Sequence, residues 1–260
     1  MPDETPRYSI FIEGETIDLC VPSEAAITDG WADWFNDART TRWLAQGIFP
    51  NHIEDQRAFL ESIRKRDRFA ALVCGKGGGP LYGVISLSSI DWVSRSAQIA
   101  MVIGKQLPPR QLMQLEAMAR VTEHAFQRMG LDRIWAGQAH PALARWNQRL
   151  ELLGYFTDGL MRRGFVKGRE TVNNAVVISC LYEDYEALKA RRGGQYWPGN
   201  EAMLRLVKAL PEHGFASRVV EFLERELPLY KTEIEAFERR VLETEDDDAE
   251  AAPRRRLAGS

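Results

Sequence analysis

The stretch from Ala97 to Met129 constrains this chain more than any other. It opens with Ala-Gln-Ile-Ala-Met-Val-Ile-Gly, a β-branched apolar run of strand length. A short polar turn follows. Then apolar residues recur at Leu112, Leu115, Ala119, Thr122 (through its methyl group), Phe126 and Met129, which is helical spacing. A buried strand that turns directly into a helix gathers free backbone N–H groups at one point. The helix dipole adds partial positive charge there, so such a junction suits a phosphate or another anion. In this chain Pro108 and Pro109 remove two of the donors.

The flanking sequence sets the rest of the architecture. Residues 8–22 carry a strand signal, with Gly14 marking a turn or bulge within it. A helix runs through Ala32, Trp34 and Phe35. Trp31, Trp34, Phe35, Trp43 and Phe49 crowd into residues 31–49. Two readings of these aromatics stay open: a helical flap packed on a sheet, or the wall of a substrate cleft. Residues 52–66 form a second helix, and the basic run Arg64–Arg68 reads as its solvated end. Strands follow at 69–74 and 81–87. Gly75, Gly77, Gly78 and Gly79 between them read as a hairpin and not a phosphate loop, because a strand comes next where a helix would be needed.

After the central helix come a strand at 133–137 and a helix at 142–153 ended by Gly154. An antiparallel pair at 155–165 and 173–182 completes the sheet. The expected fold class is α/β (α+β), a mixed, mostly antiparallel sheet flanked by helices, with a helical C-terminal extension. Gly193, Gly194, Pro198 and Gly199 punctuate a linker. Helices are expected over 200–210 and 215–243, the longer one broken or kinked at Pro228. The expected organisation is a domain at 1–186, a helical extension at 187–243 and a disordered charged tail at 244–260.

Composition narrows the function classes. With 260 residues, 27% charged and a net charge of −3, the chain has no global basic field to draw nucleic acid. It has no apolar run long enough to span a membrane, and Met1 to Arg7 lacks the pattern of a signal peptide. Cys20, Cys74 and Cys180 sit far apart in apolar contexts and read as buried structural thiols. His52, His124, His140 and His213 show no metal-ligand spacing. A cytoplasmic setting is expected, with no metal.

Several segments, in order and spacing, resemble the GNAT superfamily of acyl-CoA-dependent N-acyltransferases. The likeness is to the branch containing ribosomal-protein and nucleotide-sugar N-acetyltransferases. They are Trp34-Phe35-Asn36-Asp37, Thr41-Arg42-Trp43-Leu44 and Gly47-Ile48-Phe49-Pro50; then Ile90-Asp91, Arg95-Ser96-Ala97 and Ile103-Gly104; then Gly130-Leu131-Asp132-Arg133-Ile134 and Leu150-Glu151-Leu152-Leu153-Gly154-Tyr155. The likeness covers roughly residues 8–186. It implies acetyl-CoA as acyl donor, bound along a bulged strand and on a loop of pattern Arg/Gln-x-x-Gly-x-Gly/Ala. Here that loop reads Pro109-Arg110-Gln111-Leu112-Met113-Gln114, with Leu112 and Gln114 in place of glycines. The family's Asn near the pantetheine falls at about Leu143, and Asn147 stands one turn away. Three meanings stay open: altered CoA binding with Arg110 as phosphate partner, a fold retained without the cofactor, or a register shift.

N-acyl transfer needs a base for the acceptor ammonium, a donor to the thioester carbonyl and an acid for the leaving thiolate. Asp91, His140 and Tyr155 are the candidates for proton transfer. The expected cofactor contacts are Val102, Ile103 and Gly104, the segment Arg110, Gln111, Leu112, Met113 and Gln114, and Asn147. Trp34, Asp37, Trp43 and Phe49 are the candidates for the acceptor. Glu116, in the first helical turn, is already explained by the helix dipole. The acceptor is expected to be a primary amine on a nucleotide-linked amino sugar or a protein N-terminus. The competing class is a catalytically inactive GNAT-like module. A homodimer or a protein partner through the C-terminal helices is also expected.

Overall fold

The computed structural model describes residues 7–104 and 112–250, with side chains described as far as Glu243. Two compact units divide the chain at Ala216/Ser217.

The first unit is built on an eight-stranded sheet. Its strands are β1 (Ile10–Glu13), β2 (Ile17–Cys20), β3 (Phe69–Gly75), β4 (Leu81–Asp91), β5 (Ser96–Ile103), β6 (Arg133–His140), β7 (Phe156–Lys167) and β8 (Thr171–Leu181). The spatial order is β1-β2-β3-β4-β5-β6-β8-β7. Every neighbouring pair is antiparallel except β5 and β6, which run parallel. The parallel pair needs a crossover, and the helix Met113–Gln127 supplies it. The mixed sheet flanked by helices is the architecture expected from sequence. The 8–22 strand is two strands, separated at the Gly14 turn.

The helices are α1 (Glu24–Ala26), α2 (Ile53–Arg64), α3 (Met113–Gln127), α4 (Ala144–Glu151), α5 (Tyr182–Arg191), α6 (Asn200–Lys208) and α7 (Ser217–Glu250). The helix expected through Ala32, Trp34 and Phe35 is broken. Gly30, at φ 104°, interrupts a wide turn at 27–31, and a tight one follows at 33–36. Helix α5 was not anticipated; the expected strand pair ran to residue 182 and the expected linker begins only at Gly193.

Alternation along β3 sorts the core. Ala70, Leu72 and Cys74 join Trp31, Trp34, Phe35 and Leu60 in one cluster beneath the 24–36 turns and α2. On the other face lies α3, buried on most of its circumference, from Met113 and Leu115 to Phe126. A helix with so little exposed surface needs every polar group satisfied. Glu116, fully buried, accepts bonds from the backbone N–H groups of Glu15 and Thr16, the Thr16 hydroxyl and Arg120. It ties the β1–β2 turn to the start of α3. The three cysteines are free and buried.

The Gly-rich hairpin at 75–79 does hold an anion, and it is the chain's own. Asp18, fully buried, accepts from Gly77 N–H at 2.7 Å, Gly78 N–H at 3.4 Å and Lys76 Nζ at 2.5 Å. Gly77 and Gly78 both sit at positive φ, which turns their N–H groups towards the carboxylate.

The second unit is α7, which continues unbroken through Pro228 as far as Glu250. Residues 251–260 lie outside the described residues.

Candidate active site

Strand β5 pairs with β4 along its whole length, to Ile103 against Gly83. Strand β6 pairs with β8 along its whole length, to His140 against Asn174. Between β5 and β6, however, pairing is confined to Ser96–Gln98 against Arg133–Trp135. Beyond Gln98 the strands part, and a cleft of about 520 Å³ opens between them. The Gly104 N–H donates to Tyr82 O at 3.0 Å. Strand alternation then turns the backbone groups of Ile99, Met101 and Ile103 towards β6, into the gap. This is an edge of unpaired donors and acceptors inside the protein, the feature a peptide-like ligand satisfies by adding to the strand. The amide of Val102, among the expected cofactor contacts, faces β4 instead, and that of Ile103 faces the gap.

The cleft walls come from four places. Gln114 and Met118 on α3 form one side, Leu143, Arg145, Trp146 and Arg149 another, and Gly137 and Gln138 of β6 the floor. Arg39, Thr40, Trp43 and Leu44 close the remaining side. That last loop is held over β7 by Lys167, whose ammonium donates to the carbonyls of Thr41 at 2.5 Å and Gln46 at 2.8 Å. Trp43 packs on Phe165, ring centres 5.7 Å apart. Three arginines therefore face one cleft. Among the described residues that line it there is no carboxylate, imidazole, thiol or phenol. The Arg39 backbone N–H donates to Asp37 Oδ1 at 3.3 Å. That carboxylate is also occupied by Thr40 N–H at 3.0 Å and the Thr40 hydroxyl at 2.7 Å, which hold its pKa below the ordinary range.

The residues expected from sequence scatter. Trp43, Val102, Ile103 and Gln114 line the cleft. Trp34 is buried beneath Gly104 and packs; Phe49 is 82% exposed and away from the lining. Asp91 sits at the closed end of β4–β5, where it accepts the N–H groups of Val93 at 2.8 Å and Ser94 at 3.1 Å. It closes the hairpin and does not reach the gap. Tyr155 is sealed in the core with its hydroxyl 2.7 Å from that of Thr122, and burial raises its pKa well above the ordinary value. His140 ends β6 at the open end of the cleft but is not part of the lining. Leu112 and Met113 are buried at the start of α3 and are not among the described residues that line the cleft. Arg110 and Gln111 lie outside the described residues. Asn147 Oδ1 is buried with no hydrogen-bond partner among the described residues, an acceptor left over on the helix that walls the cleft.

The arginines were missed. Arg145 and Arg149, four residues apart beside Trp146, share a helix face, which is the one signal a sequence offered for them. Arg145 also donates to the carbonyls of Pro211 at 2.9 Å and Glu212 at 3.1 Å, a contact invisible without the fold.

A mixed sheet splayed between two parallel strands, with the crossover helix starting at the mouth of the splay, defines the GNAT acyltransferase fold. Residues 22–141 match the family model described as acetyltransferase (GNAT) domain. Solved structures agree in fold. A GCN5-related N-acetyltransferase from Brucella melitensis is 21% identical, with a TM-score of 0.56 over 75% of this chain and 88% of that one. A spermidine N-acetyltransferase SpeG chimera from Vibrio cholerae and hSSAT is 14% identical, with a TM-score of 0.57 over 66% and 99%. The microcin self-immunity acetyltransferase MccE, solved with acetyl-CoA and AMP, is 15% identical, with a TM-score of 0.54 over 65% and 93%. No curated protein matches the chain significantly. Among the described residues no cluster of His, Cys, Asp and Glu could hold a metal ion, and no helix is long and apolar enough to cross a membrane.

Proposed function

We propose that this protein is an acyl-CoA-dependent N-acyltransferase, acetylating a primary amine on a nucleotide-linked amino sugar in preference to a protein N-terminus. The observation that carries the reading is the gap between β5 and β6, with the unpaired backbone of Ile99, Met101 and Ile103 along one side. Acetyl-CoA fits this gap chemically. Its pantetheine amides match the open strand edge. The first amides of α3 lack intrahelical partners, and Gln114 adds a side-chain donor beside them. Bound there, acetyl-CoA supplies an activated acyl group.

The chain's own residues do the rest. A backbone N–H on the gap side of β5, at Met101 or Ile103, is placed to donate to a thioester carbonyl. The three arginines act on the acceptor twice. They attract phosphate, which favours a nucleotide-linked substrate over a peptide terminus. They also disfavour the ammonium form of a nearby amine, since like charges lower its pKa, and so raise the fraction present as the neutral nucleophile.

Calorimetric titration with acetyl-CoA and CoA tests the reading, followed by an acceptor screen across nucleotide-linked amino sugars and peptides. Micromolar acyl-CoA binding, with turnover on phosphate-bearing amines that Arg149→Ala weakens, supports it. No binding at millimolar CoA overturns it. The second reading, an inactive GNAT-fold binding module, is favoured by the absence of any proton-transfer side chain among the described lining residues. Acyl-CoA binding without transfer to any amine selects it.

A further inference from the structure

Helix α4 works on two sides. One side walls the cleft with Arg145, Trp146 and Arg149. The other carries Arg145, Gln148 and Glu151 at three-residue steps, a spacing that keeps neighbours on a shared helix face. Residues 211–216 are strapped to that second side and belong to the same compact unit as the cleft. The Gln148 amide donates to Pro211 O at 2.7 Å and to His213 O at 3.4 Å. Glu151 Oε1 accepts from the Ala216 N–H at 3.1 Å. Arg145 Nη1 donates to Gln148 Oε1 at 2.6 Å and is shared between Pro211 O at 2.9 Å and Glu212 O at 3.1 Å. Arg145 thus belongs to the strap and to the cleft at once. Gln148 is 1% exposed, uses both ends of its amide in the strap and does not line the cleft.

Two features of this fastening bear on an anion. Every bond from Arg145 to the strap leaves through Nη1, and among the described residues Nε and Nη2 take no partner. That remaining edge of the guanidinium presents two parallel donors, which match two oxygens of a phosphate. The acceptors on Nη1 are also neutral, two carbonyls and an amide. Among the described residues no carboxylate pairs with Arg145, and Glu151 on the same side is held by Ala216. The strap therefore fixes the guanidinium without cancelling its charge, and a side chain already fixed loses less freedom when a ligand binds. We infer that the 211–216 strap is part of the acceptor site. It sets Arg145 as a fork for a phosphate group, and Gln148 is the positioning residue that couples the two. The inference rests on reading the cleft as the site of a phosphate-bearing acceptor.

Calorimetric titration of the full chain with uridine diphosphate is the test, run without CoA and again with CoA added to saturation. The parent should bind in both. Gln148→Met keeps the length of the side chain and removes both of its polar ends. It should weaken uridine diphosphate by roughly tenfold and leave acetyl-CoA affinity within about twofold. Arg145→Ala should weaken uridine diphosphate at least as much. Adding Gln148→Met to Arg145→Ala should then change nothing further, because a positioning residue acts only through the group it positions. Gln148→Glu keeps the bond to Nη1 but sets a negative charge against the guanidinium, so it should weaken uridine diphosphate too; it serves where the Met variant does not fold. Uridine diphosphate that fails to bind, or that CoA displaces, overturns the inference. So does a Gln148→Met effect that is absent, is shared by acetyl-CoA or persists in the Arg145→Ala background. Failure of CoA to bind, with the uridine diphosphate responses intact, defeats the transferase reading and upholds the strap.

Discussion

Gly104 lies flat against the indole of Trp34: a Cβ at 104 would fall 2.0 Å from both Cδ2 and Cε2. This contact joins the end of β5 to the aromatic floor of the 24–36 turns, at the mouth of the cleft. No flexible side-chain end is available to yield, since the clash is with a ring 95% removed from solvent. Gly104→Ala should therefore cost about 1–3 kcal/mol, as overpacking does in a well-filled core. Denaturant unfolding followed by tryptophan fluorescence measures it, and acyl-CoA affinity should fall in parallel.

Asp18 and the 75–79 hairpin give a pH prediction. Burial alone would raise this carboxyl's pKa, but the bond from Lys76 and those from the amides of Gly77 and Gly14 outweigh it, and the net shift is downward. A carboxylate with a depressed folded pKa contributes stability that is fully present above its unfolded pKa and lost as pH falls through the folded one. Stability should thus decline on acidification below about pH 4. Asp18→Asn should lower stability at neutral pH by about 2 kcal/mol and flatten that acid limb. Equal acid sensitivity in the variant would show that other groups control it.

Glu116 makes a stronger demand. Its carboxylate is fully buried and holds two backbone N–H groups, a hydroxyl and Arg120. Glu116→Ala leaves those donors stranded and should cost about 3–5 kcal/mol. Glu116→Gln keeps an acceptor and should cost less. A differential-scanning melt ranks the two, and a variant as stable as the parent would refute the clamp.

For the cleft, Arg149→Ala should weaken binding of a phosphate-bearing acceptor by roughly tenfold, about 1.4 kcal/mol. The loss should shrink with added salt, since an ionic contact is screened. Arg145→Ala should weaken binding and also lower thermal stability, because Arg145 holds the carbonyls of Pro211 and Glu212. Titration at two ionic strengths separates the roles.

What the sequence determined by itself is whatever repeats locally. The apolar run of β5 and the helical spacing of α3 identified both elements and their order, because period two and period 3.6 are written in neighbouring residues. The strand pair at the end, the Gly154 cap and the buried cysteines were legible for the same reason. Trp43, Val102, Ile103 and Gln114, singled out through the motif spacing that resembles the GNAT superfamily, line the cleft.

Only the tertiary structure decided which polar groups are free for function. Asp91, Tyr155 and Trp34 have the chemistry of a site, yet each is consumed: by a hairpin turn, by Thr122 and by Gly104. Arg39, Arg145 and Arg149 carry no motif and converge from a loop and a helix far apart in the chain. The Gly-rich turn met its anion in Asp18, about sixty residues earlier. Side-chain type is a local property, whereas partnership depends on which distant backbone groups folding brings within hydrogen-bond reach, and no local pattern encodes that.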